Sequence, residues 1–205
     1  MNNEDALGEL EQELQELDSA AWKKFQRKAV RYVCVRHKRR HYAQLFQCFW
    51  EVKGYAYFKR QGYHDIQFID EAGVPTPDLY ARRNDSVALM EVKSVEESEE
   101  ELVYFEGKQD YFDLDLSRNV HPAREVIHAL PASLKRKANH TIQHARGQLL
   151  NFAVSNVDRR ILYLFVRLDS HCVAKTTIKE TEEFLRTQQD EQIEVIYSFL
   201  STSIL

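Results

Sequence analysis

Residues 77–93 read PDLYARRNDSVALMEVK, and this stretch decides the fold. Two runs of strand-like composition flank Asn84-Asp85, a pair of residues that favours a tight turn. If this pair forms the centre of a hairpin turn, Asp78 faces Glu91 across the two strands. Facing residues of a hairpin share one side of the sheet, with their Cβ atoms about 5 Å apart. The sequence therefore predicts two carboxylates close enough to bind one divalent cation.

Lys93 extends this pattern along the same strand. It lies two residues after Glu91 and so points to the same side of the sheet, where it faces Thr76. A divalent cation, a water molecule and a lysine fit this arrangement. The alternative is an ordinary hairpin rim, with a Glu–Lys ion pair and no chemistry.

The composition of the 205 residues is that of one folded domain. A hydrophobic fraction of 43% and an aromatic fraction of 11% supply a core and argue against disorder. No apolar run approaches 20 residues, so no membrane span is expected, and the acidic N-terminus lacks the pattern of a secretion signal. The isolated cysteines Cys34, Cys48 and Cys172 fit small core residues in a reducing, cytoplasmic environment.

The net charge of −4 hides a segregation of charge along the chain. Residues 1–18 contribute −7 and residues 96–115 contribute −8, so the rest of the chain carries +11. A basic body with two acidic segments is compatible with a polyanionic partner. Solvated charged faces would produce the same composition.

Hydrophobic spacing predicts an α/β domain with a mixed sheet flanked by helices. Residues 1–40 form an N-terminal helical extension, with an acidic helix over 4–18 followed by a basic helix over 20–40. A domain over 41–205 carries an acidic insertion at 96–133. Its predicted elements are a helix over 41–60 ending at Gly62, strands over 65–69, 77–83 and 86–93, a helix over 134–155, a central strand over 160–168, a short strand over 172–176, a helix from Thr177 to about 189 and a strand over 193–199. The leucine spacing of the first helix fits either a homodimer contact or packing within the chain.

The order of these elements, together with Pro77-Asp78 and Glu91-Val92-Lys93, resembles the PD-(D/E)xK nuclease superfamily, which has the restriction-endonuclease-like fold. The resemblance runs from about His41 to Leu168. It implies a Mg²⁺- or Mn²⁺-dependent hydrolase of phosphodiester bonds, with DNA as substrate. It also implies that Asp78, Glu91 and the backbone carbonyl of Val92 bind the metal.

The same resemblance assigns roles to a lysine and a helix glutamate. Lys93 would orient and deprotonate the attacking water, or hold its hydroxide electrostatically. Glu51, which lies among aromatic residues on the third helix, would complete the metal site; alternatively, it is a glutamate on the solvent face. His37 and His41 are similar in order to a histidine of viral cap-snatching endonucleases, which would make RNA the substrate. A basic helix face is the favoured explanation of these histidines.

Residues 148–152, QLLNF, resemble the Q-x-x-x-Y motif of the RecB-like branch, although Phe152 lacks the tyrosine hydroxyl. The motif implies that Gln148 contacts nucleic acid; alternatively, Gln148 is only a neighbour of core residues. We expect no iron–sulfur cluster, because such relatives use four cysteines. Basic residues near this helix would form a phosphate track, with the helix over 20–40 as a second basic surface: Lys135, Arg136, Lys137 and Arg146.

Three functional hypotheses follow. The first is a metal-dependent deoxyribonuclease. The second is a non-catalytic module of the same fold that binds nucleic acid or a partner protein, which predicts salt-dependent binding without cutting. The third is a DNA mimic, in which the acidic segments bind a basic partner.

Overall fold

The computed structural model describes residues 3–33, 39–70, 73–95, 132–167 and 175–200. These ranges contain five helices and five strands. The helices are α1 (Asn3–Gln15), α2 (Ser19–Val33), α3 (Arg39–Arg60), α4 (Ala132–Asn151) and α5 (Lys175–Arg186). The strands are β1 (His64–Phe68), β2 (Leu79–Arg83), β3 (Ser86–Val95), β4 (Val157–Arg167) and β5 (Glu194–Leu200).

The hairpin has the register that its turn residues predict. Leu79 pairs with Met90 and Arg83 pairs with Ser86, so the turn is centred at Asn84-Asp85. Asn84 has a φ of 56°, a left-handed conformation that asparagine tolerates better than most residues. The prediction that Asp78 reaches the level of Glu91 therefore holds, although β2 itself begins only at Leu79.

The five strands form one mixed sheet in the order β1-β2-β3-β4-β5. The first three strands are antiparallel neighbours, whereas β4 runs parallel to β3 and β5 runs parallel to β4. Parallel neighbours need a crossover, and α4 and α5 lie within the two connections. The predicted α/β class with a mixed sheet flanked by helices is confirmed.

The two faces of β3 belong to different cores. Ala88, Met90 and Val92 join a cluster that includes aromatic residues of α3. Val87 and Leu89 join a second cluster with the apolar side of α4. Because side chains alternate along a strand, Glu91 and Lys93 belong to the α4 side.

The N-terminal helices pack on α3. Phe25 of α2 shares a small core with Cys48 and Val52 of α3, and Leu14 and Leu17 pack against this core. The expectation that the leucine-spaced helix packs within the chain is therefore met for these two residues. Cys48 is buried, as predicted, whereas Cys34 and Cys172 lie outside the described residues.

Several predicted boundaries are wrong, and capping explains the first of them. Asp18 does not continue α1, because its Oδ1 accepts hydrogen bonds from the backbone N–H groups of Ala20 and Ala21, both at 2.8 Å, and so caps α2. Gly62, with a φ of 76°, follows α3 as predicted.

Towards the C-terminus, three predicted elements need correction. Helix α4 begins at Ala132, within the predicted insertion, and ends at Asn151, before the positive φ of 60° at Asn156. Residues 175 and 176 belong to α5 and not to a strand, whereas residues 172–174 of that predicted strand lie outside the described residues. Helix α5 begins before Thr177, which lies inside its first turn and not at its start, and the Thr177 carbonyl accepts a hydrogen bond from Thr181 Oγ1 at 2.7 Å. Helix α5 ends at Arg186 instead of near residue 189.

Residues 96–131, which make up most of the predicted insertion, lie outside the described residues. Among the helices of the described ranges, none has the length and apolar character needed to cross a membrane.

Candidate active site

The candidate site is built where β2 and β3 separate. Regular pairing of the two strands ends at Leu79 and Met90. Beyond this point, the Asp78 carboxylate replaces a backbone acceptor: its Oδ2 accepts a hydrogen bond from the Val92 N–H at 2.8 Å. The Asp78 carbonyl accepts another from the Ile69 N–H at 2.9 Å. Main chain and side chain together hold this carboxylate against β3.

Glu91 is a completely buried carboxyl group. Burial raises its pKa to about 8, and the nearby charge of Asp78 contributes to the rise, against the opposing effect of Lys93. Its Oε1 is in direct contact with the Lys93 ammonium, and its Oε2, also buried, has no hydrogen-bond partner among the described residues. A buried carboxylate oxygen without a donor is unfavourable unless a cation or a proton compensates it.

Lys93 provides the positive charge on the same strand. Its side chain is 28% exposed, so the ammonium lies between Glu91 and solvent. Burial opposes its charge, but attraction to Glu91 and Asp78 outweighs burial and raises its pKa. The predicted neighbourhood of Asp78, Glu91 and Lys93 is present in the structure.

Glu51 approaches this group from α3. It is buried, and its Oε1 lies 2.6 Å from the ammonium of Lys28, a residue of α2. Its charge contributes to the raised pKa values of both Glu91 and Lys93. Glu51 is therefore not on the solvent face, and the alternative that placed it there is wrong.

A second residue of α3 reaches the same backbone. Gln47, one helical turn before Glu51, donates a hydrogen bond from its Nε2 to the Val92 carbonyl at 2.7 Å. Both backbone polar groups of Val92 are thus bound, its N–H by Asp78 and its carbonyl by Gln47. A carbonyl oxygen has two lone pairs, so the predicted role of Val92 as a metal ligand is compatible with this bond.

The donor set fits a hard divalent cation only in part. Two carboxylates and a carbonyl are oxygen ligands of the type that Mg²⁺ prefers, and Mg²⁺ keeps several waters. The orphaned Oε2 of Glu91 is a ready acceptor for such a cation. However, no group of three or more His, Cys, Asp or Glu side chains is placed to bind a metal within the described ranges. The structure does not bring Glu51 together with Asp78 and Glu91 as a three-carboxylate set.

Gln148 lies beside the segment that carries Asp78. Its Nε2 donates a hydrogen bond to the Thr76 carbonyl at 3.1 Å, while its Oε1 is buried without a partner among the described residues. In this arrangement it braces the chain just before Pro77-Asp78. Phe152, four residues later, packs against the core and lines an open cleft of about 510 Å³ beside β1 and β2.

The predicted phosphate track is divided by the structure. Lys135 and Arg136 are exposed and Lys137 is half-buried in the first turns of α4, about 17–20 Å along the helix from Gln148. Arg146 does not belong with them, because its Nη2 forms an ion pair with Asp190 at 2.5 Å. Its prediction as a phosphate contact is not supported by this geometry.

Lys28 and Gln47 were not predicted as site residues. For Gln47 the signal was available, since residues four apart share one face of a helix and Glu51 was already a candidate. Lys28 had no such signal, because its place depends on how α2 packs against α3. His37 lies outside the described residues, and the side chain of His41 is likewise not described.

Comparisons of this chain with protein-family models, with curated proteins and with solved structures find no match. The functional argument therefore rests on the geometry of the site.

Proposed function

We propose that this protein is a divalent-metal-dependent nuclease of the PD-(D/E)xK type that hydrolyses phosphodiester bonds of DNA. One observation carries the proposal. The end of a hairpin brings Asp78, Glu91 and Lys93 together, with Asp78 bonded to the backbone between the other two.

The topology supports the proposal independently. A helix, three antiparallel strands, a crossover helix and a parallel strand follow one another as α3, β1, β2, β3, α4 and β4. This is the element order on which the resemblance to restriction-endonuclease-like proteins rests. Helix α5 and strand β5 follow β4 along the chain, and β5 extends the sheet beyond β4.

Each residue has a role in this reaction. Asp78 and Glu91 would hold Mg²⁺ or Mn²⁺ together with the Val92 carbonyl. The metal, when bound, supplies charge neutralisation at the phosphate and a more acidic water. Lys93 holds its ammonium beside Glu91, where it stabilises negative charge on the attacking oxygen. Glu51 adds negative charge from α3. Gln47 positions the Val92 carbonyl, and Gln148 positions the chain that precedes Asp78.

Cleavage of linear, circular and single-stranded DNA, with RNA as a comparison, in Mg²⁺, Mn²⁺ or EDTA tests the proposal. We expect cleavage with a metal and none in EDTA. Asp78→Asn should abolish turnover and weaken metal binding. Asp158→Asn, which removes an exposed carboxylate of β4, should change neither.

Lys93→Ala separates the two halves of the site. It should retain metal binding, measured by titration calorimetry, and lose turnover by about two to three orders of magnitude. The proposal fails if no metal supports cleavage, or if Asp78→Asn cuts as fast as the unaltered protein. Binding of DNA without cleavage would instead indicate the non-catalytic module.

A further inference from the structure

Helix α2 is fixed against the domain on several sides. Asp18 caps its start, and Phe25 enters the core shared with α3. Lys24 Nζ donates a hydrogen bond to the Phe68 carbonyl and forms an ion pair with Asp70 at 2.8 Å. One turn after Lys24, the same side of the helix presents Lys28, whose position is therefore set by packing.

Lys28 lies between the buried carboxylate of Glu51 and solvent. Its ammonium is 2.6 Å from Glu51 Oε1, and its side chain is 33% exposed whereas that of Glu51 is 4% exposed. Burial opposes its charge, but attraction to Glu51 and then to Asp78 outweighs burial and raises its pKa. An ammonium has three N–H donors, and the bond to Glu51 uses one of them.

We propose that Lys28 is a substrate-binding residue that contacts a phosphate oxygen of the nucleic acid beside Asp78 and Glu91. This inference rests on the proposed function and extends it: the N-terminal helical extension contributes a cation to the site. A compact, strongly hydrated ammonium suits a point contact with phosphate. Its contact with Glu51 holds the partly exposed ammonium in place, where an incoming backbone would meet it.

The competing explanation is that Lys28 only neutralises Glu51. Both explanations predict that Lys28→Ala lowers stability, because a buried carboxylate loses its partner. A phosphate contact further predicts a loss of salt dependence in DNA binding that exceeds the effect of removing a lysine away from the site and that persists when Glu51 is also neutralised. Each phosphate contact with duplex DNA contributes about 0.9 to the slope of log K against log salt concentration.

Binding of a labelled DNA duplex in Mg²⁺ provides the test, in a Lys93→Ala background that does not cut. Fluorescence anisotropy at several salt concentrations gives the affinity and the slope. Lys28→Ala should weaken binding on the order of tenfold and lower the slope by about 0.9, while Lys28→Arg should retain both. Lys179→Ala, which removes one exposed lysine of α5, should leave both within error.

Kinetics on the cutting protein give a second readout. Lys28→Ala should raise KM more than it lowers kcat, and Lys28→Arg should restore KM. If Lys28→Ala does not fold, the double variant Lys28→Ala/Glu51→Gln removes both charges of the buried pair. The salt slope of DNA binding by this double variant is compared with that of Glu51→Gln alone, and the double variant should again lose about 0.9.

An unchanged slope and an unchanged KM in Lys28→Ala overturn the inference and leave the nuclease proposal intact. Cleavage that never occurs, with DNA binding that still depends on Lys28, overturns the nuclease proposal and leaves the phosphate contact intact. Absence of DNA binding by the unaltered protein overturns both.

Discussion

At the scale of single residues, Glu91 dominates the energetics of the site. It is a fully buried carboxyl beside a second acid, and its pKa is raised to about 8 from an ordinary value of 4.5. In the metal-free protein at neutral pH, Glu91 therefore keeps a proton that the unfolded chain has already released. The folded state binds more protons than the unfolded state in this range, so folding stability decreases as pH rises.

This linkage makes a signed prediction. In EDTA, the free energy of unfolding should fall as pH rises from about 4.5 to about 8, by at most about 1.4 kcal/mol per pH unit, and should level off above about 8. Glu91→Gln should lack this component and be more stable than the unaltered protein above pH 8. Urea unfolding of both proteins across this pH range measures the free energy of unfolding. Glu11→Gln, at an exposed position of α1, should keep the slope.

The position of Asp78 level with Glu91 could be predicted because one local signal, the Asn84-Asp85 turn, fixes the register of the whole hairpin. The contact of Lys28 with Glu51 could not, since it joins two helices whose crossing is set by packing. The hydrogen bond from the Val92 N–H to Asp78 could not be predicted either, because it exists only where β2 begins at Leu79 and leaves Asp78 outside the regular strand pairing.

At the scale of elements, α3 lies unusually close to the sheet at Gly54. A Cβ at this position would lie 2.7 Å from Leu79 Cδ1 and 2.8 Å from Met90 Sδ, and both of these side chains are fully buried. Glycine thus permits the approach of α3 that brings Glu51 and Gln47 to β3.

Gly54→Ala should therefore destabilise the protein. Overpacking costs about 1–3 kcal/mol, which exceeds the gain of about 1 kcal/mol from the helix propensity of alanine. Gly147→Ala on α4 meets no atom within 4 Å and should instead stabilise by up to about 1 kcal/mol. Chemical denaturation compares the two variants. Equal effects at both positions would contradict the close approach.

Helix α1 is joined to α3 by a buried ion pair. Glu13 is buried, its Oε2 lies 2.9 Å from Lys53 Nζ, and Arg60 is 3.8 Å from its Oε1. Removing one partner leaves the other polar group poorly paired, so Glu13→Ala should cost about 1–3 kcal/mol. Glu11→Ala, exposed on the same helix, should stay within about 0.5 kcal/mol. A Glu13→Ala variant with unaltered thermal unfolding would disprove this anchoring.

Helices and strands with strong periodicity could be predicted from sequence, and their ends could not. The buried run of β4 and the apolar stripe of α4 are one-dimensional signals. The start of α2 depends instead on Asp18, whose side chain also accepts a hydrogen bond from Tyr55 on α3. A residue that caps one helix while contacting another shows its role only in three dimensions.

At the scale of the whole molecule, some acidic side chains of the N-terminal segment form ion pairs within the protein. Glu13 and Glu16 lie near Arg60, and the Glu16 carbonyl accepts a hydrogen bond from Lys59 at 2.7 Å, so these groups face the C-terminal end of α3. Lys135 and Arg136 near the start of α4 have exposed side chains that a polyanion can reach. The sequence predicted this segregation, because counting charges needs no structure, but it could not show which cations face acids.

The first-turn cations of α4 (Lys135, Arg136 and Lys137) lie about 17–20 Å from Gln148 along the helix. DNA advances 3.4 Å per base pair, so a backbone that passes the site would reach them about five or six base pairs away. If they form a track, a triple alanine variant should lower the salt slope of duplex binding by up to about 2.7. A duplex too short to span this distance should bind both proteins equally. Fluorescence anisotropy in the Lys93→Ala background measures the affinity and the slope in both cases.

The double variant Lys179→Ala/Arg186→Ala on α5 is the control, because it removes two positive charges elsewhere. The loss of salt slope is divided by the number of charges removed in each variant. If this loss per charge is equal in the two variants, long-range attraction alone explains it and there is no track along α4.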